Sequence, residues 1–219
     1  LQSNDLSTLP EFIGKLTNLT ELHLGENLLS KLPELIGKLT KITKLSLKNN
    51  LLSTLPTSIK KLTQLQHLNW KNNYMTTLPQ VVGNLTQLQT LILEDNKLSK
   101  LPQSIQNLTK LQTLHLQTNC LSKIPSFIEA FTQLIELHLG ENLLSTLPDS
   151  IGKLTQLQIL NLQNNRLQTL PPQMVNLTHL HNLNVNQNQL STLPNGIGKR
   201  LQIQIISLYN NPLRELPKS

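Results

Sequence analysis

The decapeptide ELHLGENLLS occurs twice in the 219-residue chain, at residues 21–30 and again at residues 136–145. The two copies start 115 residues apart, which is five times 23. Such a duplication indicates either two copies of a functional site or two turns of one repeating structure. Because the whole sequence keeps the same interval, we favour the repeating structure. Specific function is then left to the positions that vary between repeats.

Asparagines mark this interval along the entire chain. They recur every 23 residues from Asn4 to Asn211, and prolines keep the same spacing from Pro10 onward. Between these markers the unit reads LxxLxLxxNxLxxLPxxIGxLTx, with no insertion or linker. We therefore predict a single domain over residues 1–219, built from about nine to ten units.

Each unit predicts a short strand followed by a tight return. Leu22 and Leu24 flank His23, which is the alternation of a strand with one buried face. Stacked units place these strands about 4.8 Å apart in a parallel sheet. The segment from Pro33 to Leu39, with Ile36 inside it, suits a 3₁₀ turn or short helix on the outer side. The predicted fold class is an α/β solenoid.

The recurring asparagine follows the strand, where the backbone leaves the sheet. An inward amide at this corner can bond backbone groups of adjacent turns that would otherwise be buried without a partner. We therefore predict a structural ladder of asparagines. Its rungs are Asn27, Asn50, Asn73, Asn96, Asn119, Asn142, Asn165 and Asn188.

With Leu22, Leu24, Asn27, Pro33 and Ile36 at fixed positions, the unit resembles the leucine-rich repeat family along the whole chain. The strict period and the LPxxIGxLTxL segment resemble above all the bacterial, especially leptospiral, proteins made almost wholly of this unit. Related LPxxI units also occur in eukaryotic Ras-associated scaffolds and plant intracellular proteins. The resemblance implies a horseshoe with a concave parallel sheet and convex turns. It also implies a non-enzymatic module whose concave face binds another protein, a host protein if the source is a pathogen.

Composition narrows the function classes. Aromatic residues make up 3% of the chain and the formal net charge is +7. Without aromatics interleaved for base stacking, this charge does not favour nucleic-acid binding. Cys120 is the single cysteine, so no intrachain disulfide can form. Nucleotide-binding glycine motifs and an apolar run of about 18 residues are missing, so we predict no cofactor and no transmembrane segment. We expect a secreted or cell-surface protein, with a cytoplasmic location left open.

The variable positions of the strands predict the partner-binding surface. Residues at the positions of Glu21, His23 and Gly25 alternate with buried leucines, so their side chains share the concave face. The predicted partner-binding residues are Glu21, His23, Lys44, Lys48, His67, Lys71, His115, Glu136, His138 and Tyr209.

Two further surfaces stand out. Leu28, Leu51 and Tyr74 follow successive ladder asparagines, where the core does not require apolar residues. They predict an apolar edge patch, which either contacts a partner or is incidentally exposed. The second surface is the end of the solenoid. The frame begins in mid-strand, where Leu1 aligns with Leu24, and we expect a missing N-terminal cap. Self-assembly through such uncapped ends is the alternative function.

A metal site is the least favoured alternative. His115 and His138 lie in adjacent units, with Glu136 on the same face, and two imidazoles with a carboxylate could hold zinc. An open sheet without an inferred second shell argues against this, so the sequence commits no residue to a metal. We interpret the pair as two exposed neutral histidines used for contacts. No nucleophile and base stand out from the repeat, and no catalytic residue is predicted.

Overall fold

A computed structural model describes residues 1–200 and 202–216, so residue 201 and residues 217–219 of the predicted domain lie outside the described part. Nine strands in this part form one parallel sheet in chain order. Each residue pairs with the residue one unit later, as Leu22 does with Leu45. The strands are β1 Glu21–His23, β2 Lys44–Ser46, β3 His67–Asn69, β4 Thr90–Ile92, β5 Thr113–His115, β6 Glu136–His138, β7 Ile159–Asn161, β8 Asn182–Asn184 and β9 Ile205–Ser207.

A short helix precedes each strand and lies on the convex side. Those before β1 to β8 are 3₁₀ helices, at Glu11–Lys15, Glu34–Lys38, Thr57–Lys61, Gln80–Asn84, Gln103–Asn107, Ser126–Ala130, Asp149–Lys153 and Pro172–Asn176. The helix before β9 is a single α-helical turn, α1, at Ile197–Arg200. Pro33 caps the second 3₁₀ helix with extended backbone, and Ile36 is buried under it. The predicted solenoid with a concave sheet and convex 3₁₀ turns is confirmed.

The core lies between the sheet and the convex turns. Leu22 and Leu24 are buried while His23 between them is exposed, as the alternation predicts. Trp70 replaces a strand leucine and is fully buried, and Phe131 is fully buried on the convex side. The buried side chains form a single continuous cluster from Leu9 to Ile197. A single unit could not shield this apolar surface, which explains why the units stack.

The predicted ladder asparagines are buried, with relative exposures from 4% to 8%. Asn50 shows the bonding pattern. Its Nδ2 donates to the Leu24 carbonyl of the preceding unit at 3.0 Å, and its Oδ1 accepts the Leu29 N–H at 3.0 Å. The same two bonds recur through the stack up to Asn188, where Leu162 and Leu167 supply the carbonyl and the N–H. Each amide therefore ties two consecutive turns together.

The residue immediately before each ladder asparagine has a left-handed backbone. Its φ is 58° at Glu26, 54° at Asn49, 56° at Thr118 and 55° at Glu141. The chain needs this conformation to leave the strand and present the next side chain inward. Asparagine and aspartate tolerate it better than other non-glycine residues. Asparagine and aspartate are frequent at this position, but other residue types also occupy it, so the corner was not predicted.

Among the described residues, no helix combines the length and the apolar character that a membrane span requires.

Candidate functional site

The predicted partner-binding residues lie on the concave face of the sheet. The strand residues among them flank the central buried leucine of their strand, so neighbouring units bring their side chains into columns. Those in the first unit are exposed, whereas His67, Lys71, His115, Glu136 and His138 are half-buried. Tyr209, just beyond β9, is 72% exposed and stands apart from the others. Between β3 and β6 the face is therefore a crowded surface of polar side chains.

Acidic neighbours pair with the predicted basic residues of this face. Lys44 Nζ lies 2.9 Å from Glu21 Oε1, and Lys71 Nζ lies 2.8 Å from Glu94 Oε1. Lys44, followed by His23, lowers the pKa of Glu21. These pairs leave alternating charges and not a basic patch, which suits a protein partner better than a polyanion.

The third lysine, Lys48, contacts Glu26 with 2.9 Å between Nζ and Oε1. Ser3 Oγ also donates to Glu26 Oε2 at 2.6 Å. These bonds, Ser3 first and Lys48 second, lower the pKa of Glu26 to about 2. The Lys48 side chain reaches this position across Gly25, where a Cβ would come within 2.8 Å of Lys48 Cγ. The glycine of the duplicated decapeptide thus makes room for the side chain of the next unit.

The centre of the face holds a histidine pair. The rings of His115 and His138 stand in register on β5 and β6, with centroids 4.3 Å apart and planes tilted by 54°. Glu136 Oε2 lies 3.8 Å from His115 Nε2 and 3.9 Å from His138 Nε2. The structure therefore brings together the three residues that the sequence placed on one face.

The surroundings of this pair differ from the sequence interpretation. The side chains of His115 and His138 are 22% and 23% exposed, so they are not the freely exposed histidines that we expected from an open sheet. Burial lowers the pKa of His115, although Glu136 opposes the effect. Burial and then His115 lower the pKa of His138. Both lowered pKa values favour neutral imidazoles. The unprotonated ring nitrogen of a neutral imidazole can accept a hydrogen bond or bind a metal ion.

Two polar atoms near the centre of the face lack a partner. His115 Nε2 and Gln117 Oε1 are buried and accept or donate no hydrogen bond within the described residues. Gln117 follows His115 by two positions and was not among the predicted site residues. Amide side chains are common on this face, so nothing in the sequence distinguishes Gln117 from the other glutamines and asparagines there. Buried polar atoms without partners are costly, and a ligand that bonds them gains affinity.

The predicted edge patch lies beside the concave face. Leu28, Leu51 and Tyr74 are 48%, 43% and 51% exposed, and they occupy the same position in three consecutive units. Lys97 occupies this position in the next unit and sets its ammonium 5.3 Å from the centre of the Tyr74 ring. The three apolar side chains therefore share one repeat position, and the ammonium of Lys97 follows them in the next unit.

Known families and structures extend this description. The family model described as leucine-rich repeat region matches residues 57–143, and the one described as leucine rich repeat matches residues 18–39 and 156–177. The solved structure of a leucine-rich repeat protein of Leptospira interrogans is 31% identical in sequence to this chain, with a TM-score of 0.68. The match covers 99% of this chain and 67% of the leptospiral protein. No curated protein sequence matches the chain. The fold and its variable concave face define a repeat solenoid, and the chain belongs to the leucine-rich repeat family.

Two plant receptors are similar in structure. The plant peptide hormone receptor RGFR1, solved in complex with RGF2, has a TM-score of 0.85 and is 33% identical over 98% of this chain. The ectodomain of the Arabidopsis thaliana receptor kinase GASSHO1/SCHENGEN3, solved with CASPARIAN STRIP INTEGRITY FACTOR 2, has a TM-score of 0.79 and is 28% identical over the full chain. This chain spans 35% and 30% of those two proteins.

Proposed function

We propose that this chain is a non-enzymatic module, secreted or displayed at the cell surface, that binds a protein partner across its concave face. Membership of the leucine-rich repeat family supports an interaction module, and the two plant neighbours were solved in complex with RGF2 and with CASPARIAN STRIP INTEGRITY FACTOR 2. If the source is a pathogen, the partner is a host protein.

The crowded centre of the concave face carries this proposal. The repeat accounts for the buried leucines and asparagines, but it does not require a histidine at position 115 or a glutamine at position 117. Each has a buried polar atom that no other described residue bonds. Paired charges at Lys44 and Lys71 lie on the same face toward β2 and β3. A partner that forms hydrogen bonds with His115 and Gln117 would gain affinity. Charges on the partner that complement those at Lys44 and Lys71 would also fix its orientation.

Paired lysine substitutions test the face directly. Lys44→Ala with Lys71→Ala removes two charges from the concave side, and Lys38→Ala with Lys61→Ala removes two from the convex turns. Extracellular host proteins captured by the wild type are identified by mass spectrometry and measured again with each variant. We expect at least about a tenfold loss of affinity with the concave variant and little change with the convex one. The opposite ranking would move the binding surface to the convex side.

Self-assembly stays the alternative from the sequence. It predicts a mass that rises with concentration in light scattering, and a monomer at every concentration would remove it.

A further inference from the structure

We propose that His115, Glu136 and His138 form a binding site for a divalent transition metal ion, with Zn²⁺ as the ion that the ligand set favours. This inference concerns the centre of the concave face and does not rest on the identity, or the existence, of a protein partner.

The ligand atoms already lie close together. One ligand atom from each of the three residues can be chosen so that all lie within 4.8 Å of one another, and His115 Nε2 lies 3.8 Å from Glu136 Oε2. Tetrahedral zinc with bonds of about 2.0–2.1 Å needs ligand atoms about 3.3 Å apart. The required approach is small, and side-chain rotations can supply it because the ligands come from two neighbouring strands of a continuous sheet.

An unsatisfied atom marks the position of the ion. His115 Nε2 is buried and has no hydrogen-bond partner in the described residues, although it points into a group that contains a carboxylate and a second imidazole. A buried ring nitrogen in this condition costs free energy unless something unseen bonds it. A metal ion would bond Nε2 and would also draw in the Glu136 carboxylate, which lies too far away for a hydrogen bond at 3.8 Å.

The chemistry of the donors selects the class of ion. Two imidazole nitrogens and one carboxylate suit zinc and its neighbours, whereas calcium and magnesium prefer oxygen ligands. The side chains remain 22% to 37% exposed, so one coordination position would face solvent. That position could take water or a carboxylate or imidazole from a second molecule, as three-ligand zinc sites do.

The duplicated decapeptide supplies an internal control. Glu21 and His23 repeat the Glu-Leu-His of β6 on β1, with 3.2 Å between Glu21 Oε2 and His23 Nε2. His138 pairs with His115 on the preceding strand and with Asn161 on the next, whereas β1 is the first strand of the described sheet and His23 pairs with Ser46 on the next strand. Lys44 takes the Glu21 carboxylate at 2.9 Å, and Ile159 occupies the corresponding position beside Glu136. The first copy of the decapeptide therefore lacks a second imidazole, and its carboxylate is already paired with the ammonium of Lys44.

Calorimetric titration with zinc chloride alone tests the site, on the full chain without a histidine tag. We expect one zinc ion per chain. His115→Gln and His138→Gln should each weaken binding at least about tenfold, whereas His23→Gln should leave the affinity unchanged. Circular dichroism and Trp70 fluorescence check that each variant keeps the fold.

Two results of the titration would overturn the proposal. One is the absence of saturable binding to the folded wild-type chain. The other is binding that both glutamine variants retain, which would assign the zinc to other histidines such as His179 and His181. Cobalt(II) gives a second reading through its visible absorption. We expect the strong visible absorption bands of four-coordinate cobalt, and we expect added zinc to abolish them. A spectrum like that of aqueous cobalt would contradict the site.

Discussion

Asn119 reaches back across one whole unit and donates from Nδ2 to the Leu93 carbonyl at 2.9 Å. Its Oδ1 accepts the Leu98 N–H, also at 2.9 Å. A single amide therefore satisfies backbone groups on both sides of a buried corner. This arrangement assigns the recurring asparagine to the cohesion of the stack and leaves the variable positions for recognition.

Substituting Asn119 with alanine tests that assignment. Asn119→Ala leaves the buried N–H of Leu98 without a partner and removes the shorter of two bonds to the Leu93 carbonyl, which keeps the bond from Asn96 Nδ2 at 3.2 Å. We therefore expect a loss of about 1–3 kcal/mol in the free energy of unfolding. Urea denaturation followed by Trp70 fluorescence and circular dichroism measures it. Asn107→Ala is the control, because Asn107 is exposed at the end of a 3₁₀ helix, and we expect a change within about 0.5 kcal/mol. Equal losses in the two variants would contradict the ladder.

The left-handed corner predicts a stabilising change. Thr118 has a φ of 56°, which is strained for a β-branched residue. The equivalent residue in an earlier unit is Asn49, with a φ of 54°. Thr118→Asn should therefore raise the free energy of unfolding by about 0.5–1 kcal/mol. The weak bond from Thr118 Oγ1 to Glu141 at 3.3 Å is too long to offset the gain. Thr63→Asn changes an exposed threonine outside this corner and should give no gain in the same thermal melts.

Most of the fold could be predicted because every unit repeats the same residue types at the positions that its strand and its 3₁₀ helix require. Pro33 marked the start of a 3₁₀ helix that begins at Glu34, and His23 between two leucines marked the centre of a strand face. The corner before Asn27 was missed because several residue types occupy it. The corner requires a positive φ, which Glu26 adopts at 58° with some backbone strain. Its side chain does not mark the corner in the sequence.

The candidate site could be predicted in position but not in environment. The period placed His115 beside His138, and the structure shows their rings in contact. Burial of these rings depends on how closely side chains crowd on an inward-curving sheet, and spacing along the chain does not report it. The pairing of Lys48 with Glu26 depends likewise on a rotamer that crosses Gly25, which sequence alone does not specify.

Close packing of the convex turns predicts an effect of glycine substitution. A Cβ at Gly37 would lie 2.6 Å from the Ser58 carbonyl oxygen, a backbone atom that cannot move without shifting the next turn. We expect Gly37→Ala to lower the free energy of unfolding by about 1–3 kcal/mol. Gly198→Ala is the control, since a Cβ there meets no atom within 4 Å. Chemical denaturation of both variants decides the point, and a stable Gly37→Ala protein would show that the turns can spread apart.

The Glu26 carboxylate predicts a pH dependence at the N-terminal end of the face. Its pKa of about 2 in the folded chain lies below the ordinary glutamate value of about 4.3, because Ser3 and Lys48 bond the ionised form. Folding therefore favours the deprotonated state. The stabilisation is present above the ordinary value and is lost as the pH falls through about 2. We expect the wild type to exceed Glu26→Gln in thermal stability near neutral pH, with the difference shrinking toward pH 2.

A carbon-detected NMR titration of Glu26 checks the cause. Lys48→Gln should raise the pKa of Glu26 by removing the ammonium 2.9 Å away, while the Ser3 bond remains. The second decapeptide offers a matched comparison, because Gln163 replaces Lys48 there and Glu141 contacts Thr118 Oγ1 at 3.3 Å. Glu141→Gln is therefore the matched control for Glu26→Gln in the same thermal melts, because no lysine stands at the position of Lys48 there. If the two substitutions have equal effects, the lysine does not control the acid stability of this corner, and the pairing of charges on the concave face contributes less than its geometry indicates.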